Sequence, residues 1–226
     1  MGLRNMKEYN IKIGTAFLLV LAYFGIMLFY TFLDVAVWRK VFPDFSNIIN
    51  IITIVVCIGV FIMFLKRTTG YQMQLLSNIS FAGIMLAAGC SLLFFLLLDR
   101  GLDPIFEGMF PQSEQNYQEM MESLMKSPIT SLIQICVLAP VIEEILMREV
   151  VLGGLKKSCG TATALLISAA LFACLHFNMV QTLSAFVCGI VLGLLYIRTN
   201  SVSCCMMAHG GYNLISYVAM IYPQIR

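Results

Sequence analysis

Two adjacent carboxylates and an arginine lie inside a strongly apolar part of the sequence, residues 141–148. Ionisable side chains within a membrane segment are costly unless they are paired or hydrated, so their presence there indicates a functional site. On a helix, Glu144 and Arg148 are four residues apart and share one face, where they can neutralise each other. Glu143 lies about 100° around the helix with no such partner nearby in sequence, which makes it the carboxylate available for chemistry.

Both histidines of the chain come after these carboxylates, in the motifs Phe172-x-x-x-His176 and His209-x-x-x-Asn213. The two named residues of each motif are four apart and share a helix face. A single histidine in a membrane helix serves equally well as a hydrogen-bonding contact between helices. Together, however, three consecutive apolar segments each supply groups typical of catalysis: a carboxylate as general base or acid, and imidazoles and an amide that can orient water and stabilise an oxyanion. This set predicts hydrolysis of an amide bond.

The composition indicates the kind of fold that must position these groups. Of the 226 residues, 60% are hydrophobic and only 12% are charged, whereas soluble domains have roughly 25% charged residues. We therefore expect an all-α, polytopic membrane protein. The net charge of +2 and the lack of a basic run interleaved with aromatic residues exclude nucleic acid as a partner. The eight cysteines lie in or beside apolar stretches without a Cys-x-x-Cys pair, so we interpret them as small hydrophobic residues.

Apolar stretches of about 20 residues, the length of one crossing, predict a single bundle of seven transmembrane helices. The predicted spans are 11–33, 47–65, 77–98, 128–150, 161–178, 180–198 and 201–222. The first span is longer than the apolar region of a signal peptide and lacks a small-residue cleavage site, so we expect it to be retained. We expect residues 1–127 to form scaffold helices with an interfacial helix, 128–222 the catalytic core and 223–226 a C-terminal tail.

The longest connection, residues 99–127, has a helical pattern of its own. Apolar side chains recur at helical spacing on one side, and Gln118, Glu119 and Glu122 lie on the other. This pattern predicts an interfacial amphipathic helix, and a helix that caps the bundle is favoured over a substrate gate. The apolar residues are Tyr117, Met120, Met121, Leu124 and Met125.

Lysine and arginine are unevenly distributed between the predicted loops. With the N-terminus inside, the inner segments hold 9 of the 14 basic residues and the outer segments hold 5. By the positive-inside rule, this asymmetry predicts a cytoplasmic N-terminus. We expect a multi-pass protein of the bacterial plasma membrane. In the sixth span, Gly189 and Gly193 form a G-x-x-x-G pair that predicts close packing against another helix.

Three motifs resemble the signature of the CPBP family of intramembrane proteases: Glu143-Glu144-x-x-x-Arg148, Phe172-x-x-x-His176 and His209-x-x-x-Asn213, in this order. That family includes CAAX-processing and bacteriocin-processing enzymes, and it is also called the Abi or lysostaphin-resistance-protein-A-like family. The resemblance covers residues 128–222. It implies an endopeptidase whose site opens within the lipid bilayer and whose substrate is a membrane-associated protein or peptide.

The resemblance also implies roles for individual residues. Glu143 would activate water together with His176, while His209 and Asn213 would hold the carbonyl oxygen of the substrate. Glu144 and Arg148 would form a supporting ion pair, and Phe172 would pack beside the site.

The resemblance leaves the type of protease open, because the family has been described both as metalloproteases and as glutamic proteases. Glu143, His176 and His209 form a set that catalytic zinc accepts, with water as the fourth ligand. The H-E-x-x-H pattern of zincins is absent. We favour the metal-free mechanism because the amide of Asn213 suits an oxyanion better than zinc, and zinc stays the alternative.

Two other classes of function compete with a protease. A scaffold or immunity partner would bind another membrane protein without cutting it, but it has no need of an unpaired carboxylate. In a proton-coupled transporter, Glu143 and the histidines would relay protons. Transporters often contain repeated halves, and residues 1–113 and 114–226 show no such correspondence.

The depth of His176 conflicts with the predicted spans. If the fifth span starts at Thr161 on the inner side, His176 lies about 22 Å along it at 1.5 Å per residue, deeper than expected for Glu143 and His209. Either the segment 156–160 dips into the bilayer, or the fifth helix is short and tilted.

Overall fold

Helices make up most of the chain, because a backbone surrounded by lipid must satisfy its hydrogen bonds within each segment. The computed structural model describes residues 9–222. Within that range the chain forms eight continuous helices, and no strand is present. The helices are α1 (Ile13–Val41), α2 (Ser46–Thr69), α3 (Phe81–Met109), α4 (Pro111–Met125), α5 (Pro128–Cys159), α6 (Thr161–Ala173), α7 (Met179–Thr199) and α8 (Val202–Ile221). The expected all-α membrane bundle is confirmed.

Five of the described helices, α1, α2, α3, α5 and α7, are long and apolar enough to cross a membrane. The other two predicted spans correspond to α6, which has only 13 residues, and to α8, whose 20 residues include His209 and Asn213. The chain is an integral membrane protein. Its predicted orientation used Arg4, Lys7 and Arg226, which lie outside the described residues, as does the expected tail 223–226.

The long helices extend beyond the predicted spans. α1 continues to Val41 instead of residue 33, α3 to Met109 instead of 98, and α5 to Cys159 instead of 150. The prediction ended α3 at its first charged residues, Asp99 and Arg100. The helix continues because the acidic side chains here have hydroxyl partners on other helices.

Wider, π-helical turns interrupt three of the long helices, and such turns are frequent at functional sites. The segment Ile145–Leu152 in α5 starts directly after Glu144 and contains Arg148. The remaining π-helical segments are Asp34–Trp38 in α1, Phe95–Leu102 in α3 and Gln134–Leu138 in α5.

α6 is shorter than the predicted fifth span, and this explains the position of His176. The helix ends at Ala173, so His176 lies in the turn that leads into α7. The Thr182 hydroxyl donates to the backbone oxygen of His176, and Asn178 caps the first turn of α7 with its side chain. Of the two explanations offered for the depth of His176, the structure shows a short fifth helix.

The predicted amphipathic helix is present as α4, but the faces are partly reassigned. Met121 is buried and Tyr117 is half-buried, as expected for the apolar side. Met120, which was assigned to the apolar side, is exposed, and Gln118, which was assigned to the polar side, is half-buried. The reason is a cavity beneath α4, which gives polar side chains a favourable place on its inner face.

The G-x-x-x-G pair of α7 brings this helix against α6. A Cβ atom at Gly189 would lie 3.0 Å from Cα of Ala169, and one at Gly193 would lie 2.2 Å from a methyl carbon of Leu165. At Gly189 the missing side chain lets the backbone of α7 approach that of α6, and at Gly193 it leaves room for the side chain of Leu165. The predicted packing role of the pair is confirmed.

Arg148 connects α5 to these two helices from inside the bundle. Its side chain is fully buried, and its Nε lies 2.7 Å from Oε2 of Glu144, which is also fully buried. Its Nη1 donates to the backbone oxygen of Gly189 at 3.0 Å and to Oγ of Ser168 at 3.3 Å. The ion pair therefore holds α5, α6 and α7 together through one guanidinium group.

We expect Glu144→Ala and Arg148→Ala each to destabilise the protein, because each leaves a buried charge without its partner, at a cost of roughly 3–5 kcal/mol. The double variant should lose less than the sum of the single losses. Thermal unfolding of the purified protein in detergent measures the effect. Arg67→Ala, at the exposed end of α2, is the matched control and should change stability by less than about 0.5 kcal/mol. Strictly additive losses of stability would contradict the interaction between Glu144 and Arg148.

Candidate active site

The residues singled out in the sequence meet around one cavity of about 290 Å³. Glu143 comes from α5, His176 from the turn after α6, and His209 and Asn213 from successive turns of α8. Phe172, near the end of α6, also lines the cavity. These residues, which are far apart in the chain, therefore line one cavity.

Glu143 is nearly enclosed but keeps its carboxylate available. The residue is 8% exposed and lines the cavity. Nε2 of His209 lies 4.0 Å from Oε2 of Glu143. Within residues 9–222 no donor makes a hydrogen bond to this carboxylate, so both oxygens can interact with water or substrate.

His209 is oriented by the neighbouring glutamate. Its Nδ1 lies 3.0 Å from Oε1 of Glu144, while the other oxygen of Glu144 receives the hydrogen bond from Arg148. A carboxylate paired with arginine accepts hydrogen bonds, so Nδ1 of His209 carries the hydrogen. Nε2 then points toward Glu143 and the cavity. Glu144 therefore fixes the ring of His209 as well as neutralising Arg148.

His176 presents the corresponding nitrogen to the cavity. Its Nδ1 lies 3.1 Å from the backbone oxygen of Phe172, which can only accept, so Nδ1 donates and Nε2 of the neutral ring keeps its lone pair. The Phe172 ring lies edge-on to both imidazoles, with centroid distances of 5.1 Å to His176 and 5.6 Å to His209. The guanidinium carbon of Arg148 lies 5.2 Å above the same ring. Phe172 thus packs against both histidines.

Asn213 is held one turn after His209. Its amide nitrogen donates to the backbone oxygen of Ile135 at 2.9 Å, which leaves the second N–H of that amide for another acceptor. Two glycines between these residues bring α8 close to its neighbours. A Cβ atom at Gly210 would lie 2.6 Å from the backbone oxygen of Cys136, and one at Gly211 would lie 2.6 Å from Oγ of Ser91.

A second cavity, of about 150 Å³, lies between α1, α2 and α5 and also reaches Glu143. Its lining is mainly apolar and aromatic, with Tyr23, Tyr30 and Phe61 among its residues. Glu143 therefore borders a polar cavity and an apolar one. The first two helices, which the sequence presented as scaffold, contribute to the surroundings of this carboxylate.

Four further carboxylates line the cavity and were not predicted as site residues. Asp99, Asp103 and Glu107 from α3 and Glu114 from α4 all line the larger cavity. The first three recur every four residues, a spacing that places them along one helix face. This spacing was not predicted to be helical, because the predicted third span ended at residue 98 and α3 continues to Met109.

The histidines and the carboxylate of Glu143 are of the types that a zinc ion binds. Both histidines use Nδ1 in a hydrogen bond and turn Nε2 to the cavity, as metal-bound histidines often do. However, no three His, Cys, Asp or Glu side chains within the described ranges are grouped closely enough to hold a metal ion. The described arrangement does not fit the alternative zinc set of Glu143, His176 and His209, so the mechanism proposed below assigns no step to a metal.

The family comparison covers the segment that contains these residues. The family model described as "Type II CAAX prenyl endopeptidase Rce1-like" matches residues 125–215, which include all three motifs. No curated protein and no solved structure matches the chain. This match to a model of the CPBP family confirms, over residues 125–215, the resemblance stated from the motifs.

Proposed function

We propose that the protein is an intramembrane endopeptidase that hydrolyses a peptide bond of a membrane-associated protein or peptide. The observation that carries this proposal is the carboxylate of Glu143. It lies in the cavity without a hydrogen bond from residues 9–222, and His209 faces it at 4.0 Å. A carboxylate placed in this way inside a membrane protein is costly, and proton transfer during catalysis is a reason to retain it.

In the proposed first step, Glu143 and Nε2 of His176 hold a water molecule, and Glu143 accepts its proton as the water oxygen attacks the carbonyl carbon. The orientation of His176 supports this role, because its Nδ1 is fixed on the Phe172 carbonyl and its free nitrogen is a hydrogen-bond acceptor. General-base catalysis of this kind contributes about 10²–10⁴-fold to a rate.

The negative charge on the carbonyl oxygen is then stabilised by His209 and Asn213. Asn213 contributes the N–H that does not bind Ile135. Nε2 of His209 donates in the doubly protonated ring, whose charge lies near the carboxylates of Glu143 and Glu144. Collapse of the tetrahedral intermediate breaks the C–N bond, and Glu143 returns its proton to the leaving nitrogen. Preorganised donors at such an oxygen are among the largest contributions to catalysis.

The family description supports a CAAX-type substrate, and a bacteriocin leader or secreted signalling peptide is the other substrate class proposed. The distribution of basic residues supports a cytoplasmic N-terminus, and the bacterial plasma membrane is the location proposed for this multi-pass protein. A scaffold or immunity partner that does not cut its target, and a proton-coupled transporter, are the alternatives that measured cleavage would exclude.

We expect Glu143→Gln to abolish proteolysis, with a loss of at least about 10²-fold, because the near-isosteric amide cannot accept the proton from water. Comparing the membrane peptidome of cells that produce wild-type or variant protein identifies the cleaved peptides. Glu149→Gln is the matched control, because Glu149 is a buried carboxylate on the same helix that lies outside both cavities and accepts a hydrogen bond from Tyr71. Equal cleavage by Glu143→Gln, in a protein that unfolds at the wild-type temperature, would exclude the general-base role.

The proposed metal-free mechanism predicts that protein freed of metal by chelation cleaves its substrate at the full rate. Metal analysis of the purified protein and rate measurements before and after chelation test this. A metalloprotease would instead contain close to one zinc ion per chain, lose activity on chelation and regain it when zinc is added. That result, with zinc retention dependent on Glu143, His176 and His209, would overturn the metal-free assignment.

A further inference from the structure

The turn that carries His176 has to hold an imidazole ring in one position although it lies outside the helices. It covers residues 174–178, between the end of α6 and the start of α7. Nδ1 of His176 is bonded to the backbone oxygen of Phe172 in the last turn of α6. The direction of Nε2 therefore depends on how the backbone of this turn is fixed to the elements around it.

The beginning of α7 fixes the turn on one side. The side-chain oxygen of Asn178 accepts a hydrogen bond from the N–H of Gln181 at 3.1 Å, which caps the helix. The Thr182 hydroxyl lies 2.5 Å from the backbone oxygen of His176 and 2.8 Å from that of Asn178. Because an N-cap needs only an acceptor oxygen, the amide nitrogen of Asn178 is not used by the cap.

α4 fixes the same turn on another side, through Ser113 in its first turn. The amide nitrogen of Asn178 donates to the backbone oxygen of Ser113, and the N–H of Met179 donates to Oγ of Ser113 at 2.8 Å. We call these two hydrogen bonds the Ser113 contacts. They lie beside the larger cavity, because Glu114 and His176 both line it. The turn is thus held between two helices that are far apart in the chain.

We propose that Ser113 and Asn178 are positioning residues that hold Nε2 of His176 where the proposed reaction needs it. This inference rests on the proposed function, which gives His176 the task of binding the attacking water. The contacts with α7 fix one side of the turn, and the Ser113 contacts fix the other, so that the ring keeps one orientation. A displacement of about 1 Å can lower a rate by about 10²-fold. Two hydrogen bonds outside the reacting atoms are therefore able to control the chemical step, and α4 has a task in the site besides covering the bundle.

Three substitutions separate the Ser113 contacts from the folding of α7. Asn178→Ser keeps a favourable N-cap residue but lacks the amide nitrogen that donates to Ser113. Ser113→Ala removes the oxygen that accepts from Met179, and Ser113→Thr puts a hydroxyl back. Since Asn178→Ser and Ser113→Ala each remove a different hydrogen bond, either one tests the inference if the other variant does not fold.

Asn47 provides a matched control at the opposite end of α4. Its side-chain amide donates to Oγ of Ser127, just after that helix, at 2.7 Å. Asn47→Ser removes a hydrogen bond of the same kind between this end of α4 and α2. Neither Asn47 nor Ser127 is among the lining residues of the two cavities. The control variant should therefore keep the wild-type kcat.

Steady-state cleavage by the full-length protein in detergent gives the first readout. Asn178→Ser and Ser113→Ala should lower kcat about 10–100-fold while KM stays close to the wild-type value, and Ser113→Thr should recover kcat. In a His176→Ala background the same two substitutions should cause no further loss, because they act through that ring. If the Ser113 contacts only stabilise the bundle, the variants unfold at a lower temperature and the folded protein keeps the wild-type kcat.

The position of the ring can also be measured without any substrate. The chain has only two histidines, so magnetic resonance of full-length protein containing isotope-labelled histidine shows each ring separately, and His176→Gln assigns the signals. We expect Asn178→Ser and Ser113→Ala to shift or broaden the signals of His176 and to leave those of His209 unchanged. Ser113→Thr and Asn47→Ser should give wild-type spectra.

These two readouts distinguish the inference from the proposed function. If no peptide is cleaved but the His176 signals depend on Ser113 and Asn178, the ring is positioned as inferred and the proposed function fails alone. Unchanged His176 signals or a wild-type kcat in both variants, an equal loss of kcat with and without His176, or an equal loss in Asn47→Ser overturns the inference.

Discussion

The buried carboxylate of Glu144 is the contact on which the site depends. One of its oxygens binds Arg148 at 2.7 Å and the other lies 3.0 Å from Nδ1 of His209. Arg148 in turn reaches the backbone of Gly189, so a single carboxylate connects α5, α7 and α8. Since none of these charges meets solvent, the geometry must be nearly ideal for the charges to be tolerated. The orientation of the His209 ring follows from the need to place Nδ1 close to the carboxylate of Glu144.

The same contact assigns different tasks to two adjacent glutamates. Glu144 faces the protein interior, where its charge is balanced, and Glu143 faces the cavities about 100° around the helix. The tasks cannot be exchanged, because only Glu144 is within reach of Arg148. Phe172 packs against both His176 and His209. In the proposed reaction, Nε2 of His176 lies on the water side and Nε2 of His209 on the oxyanion side.

The parts of this arrangement that follow from helix periodicity could be predicted from the sequence. The spacing of Glu144 and Arg148 predicts a shared face, and the side chains lie in contact. The grouping of Glu143 with both histidines followed from residue types and family motifs. The turn that carries His176 could not be predicted, because no glycine or proline follows Ala173, where α6 ends, and the hydroxyl that holds this turn belongs to Thr182 of α7. Asp99 was misassigned to a loop for a similar reason, since its hydroxyl partners lie more than a hundred residues away in sequence.

Charge balance explains why the two adjacent glutamates can act differently. The charge of Glu144 is matched by Arg148, so this pair adds little net field to the cavity. Glu143 lines the cavity, where Nε2 of His209 lies 4.0 Å from its carboxylate and no hydrogen bond from the described residues holds it. The site therefore combines a neutralised support, which fixes the proposed catalytic groups, with a carboxylate that stays open to the cavity for the proposed proton transfer.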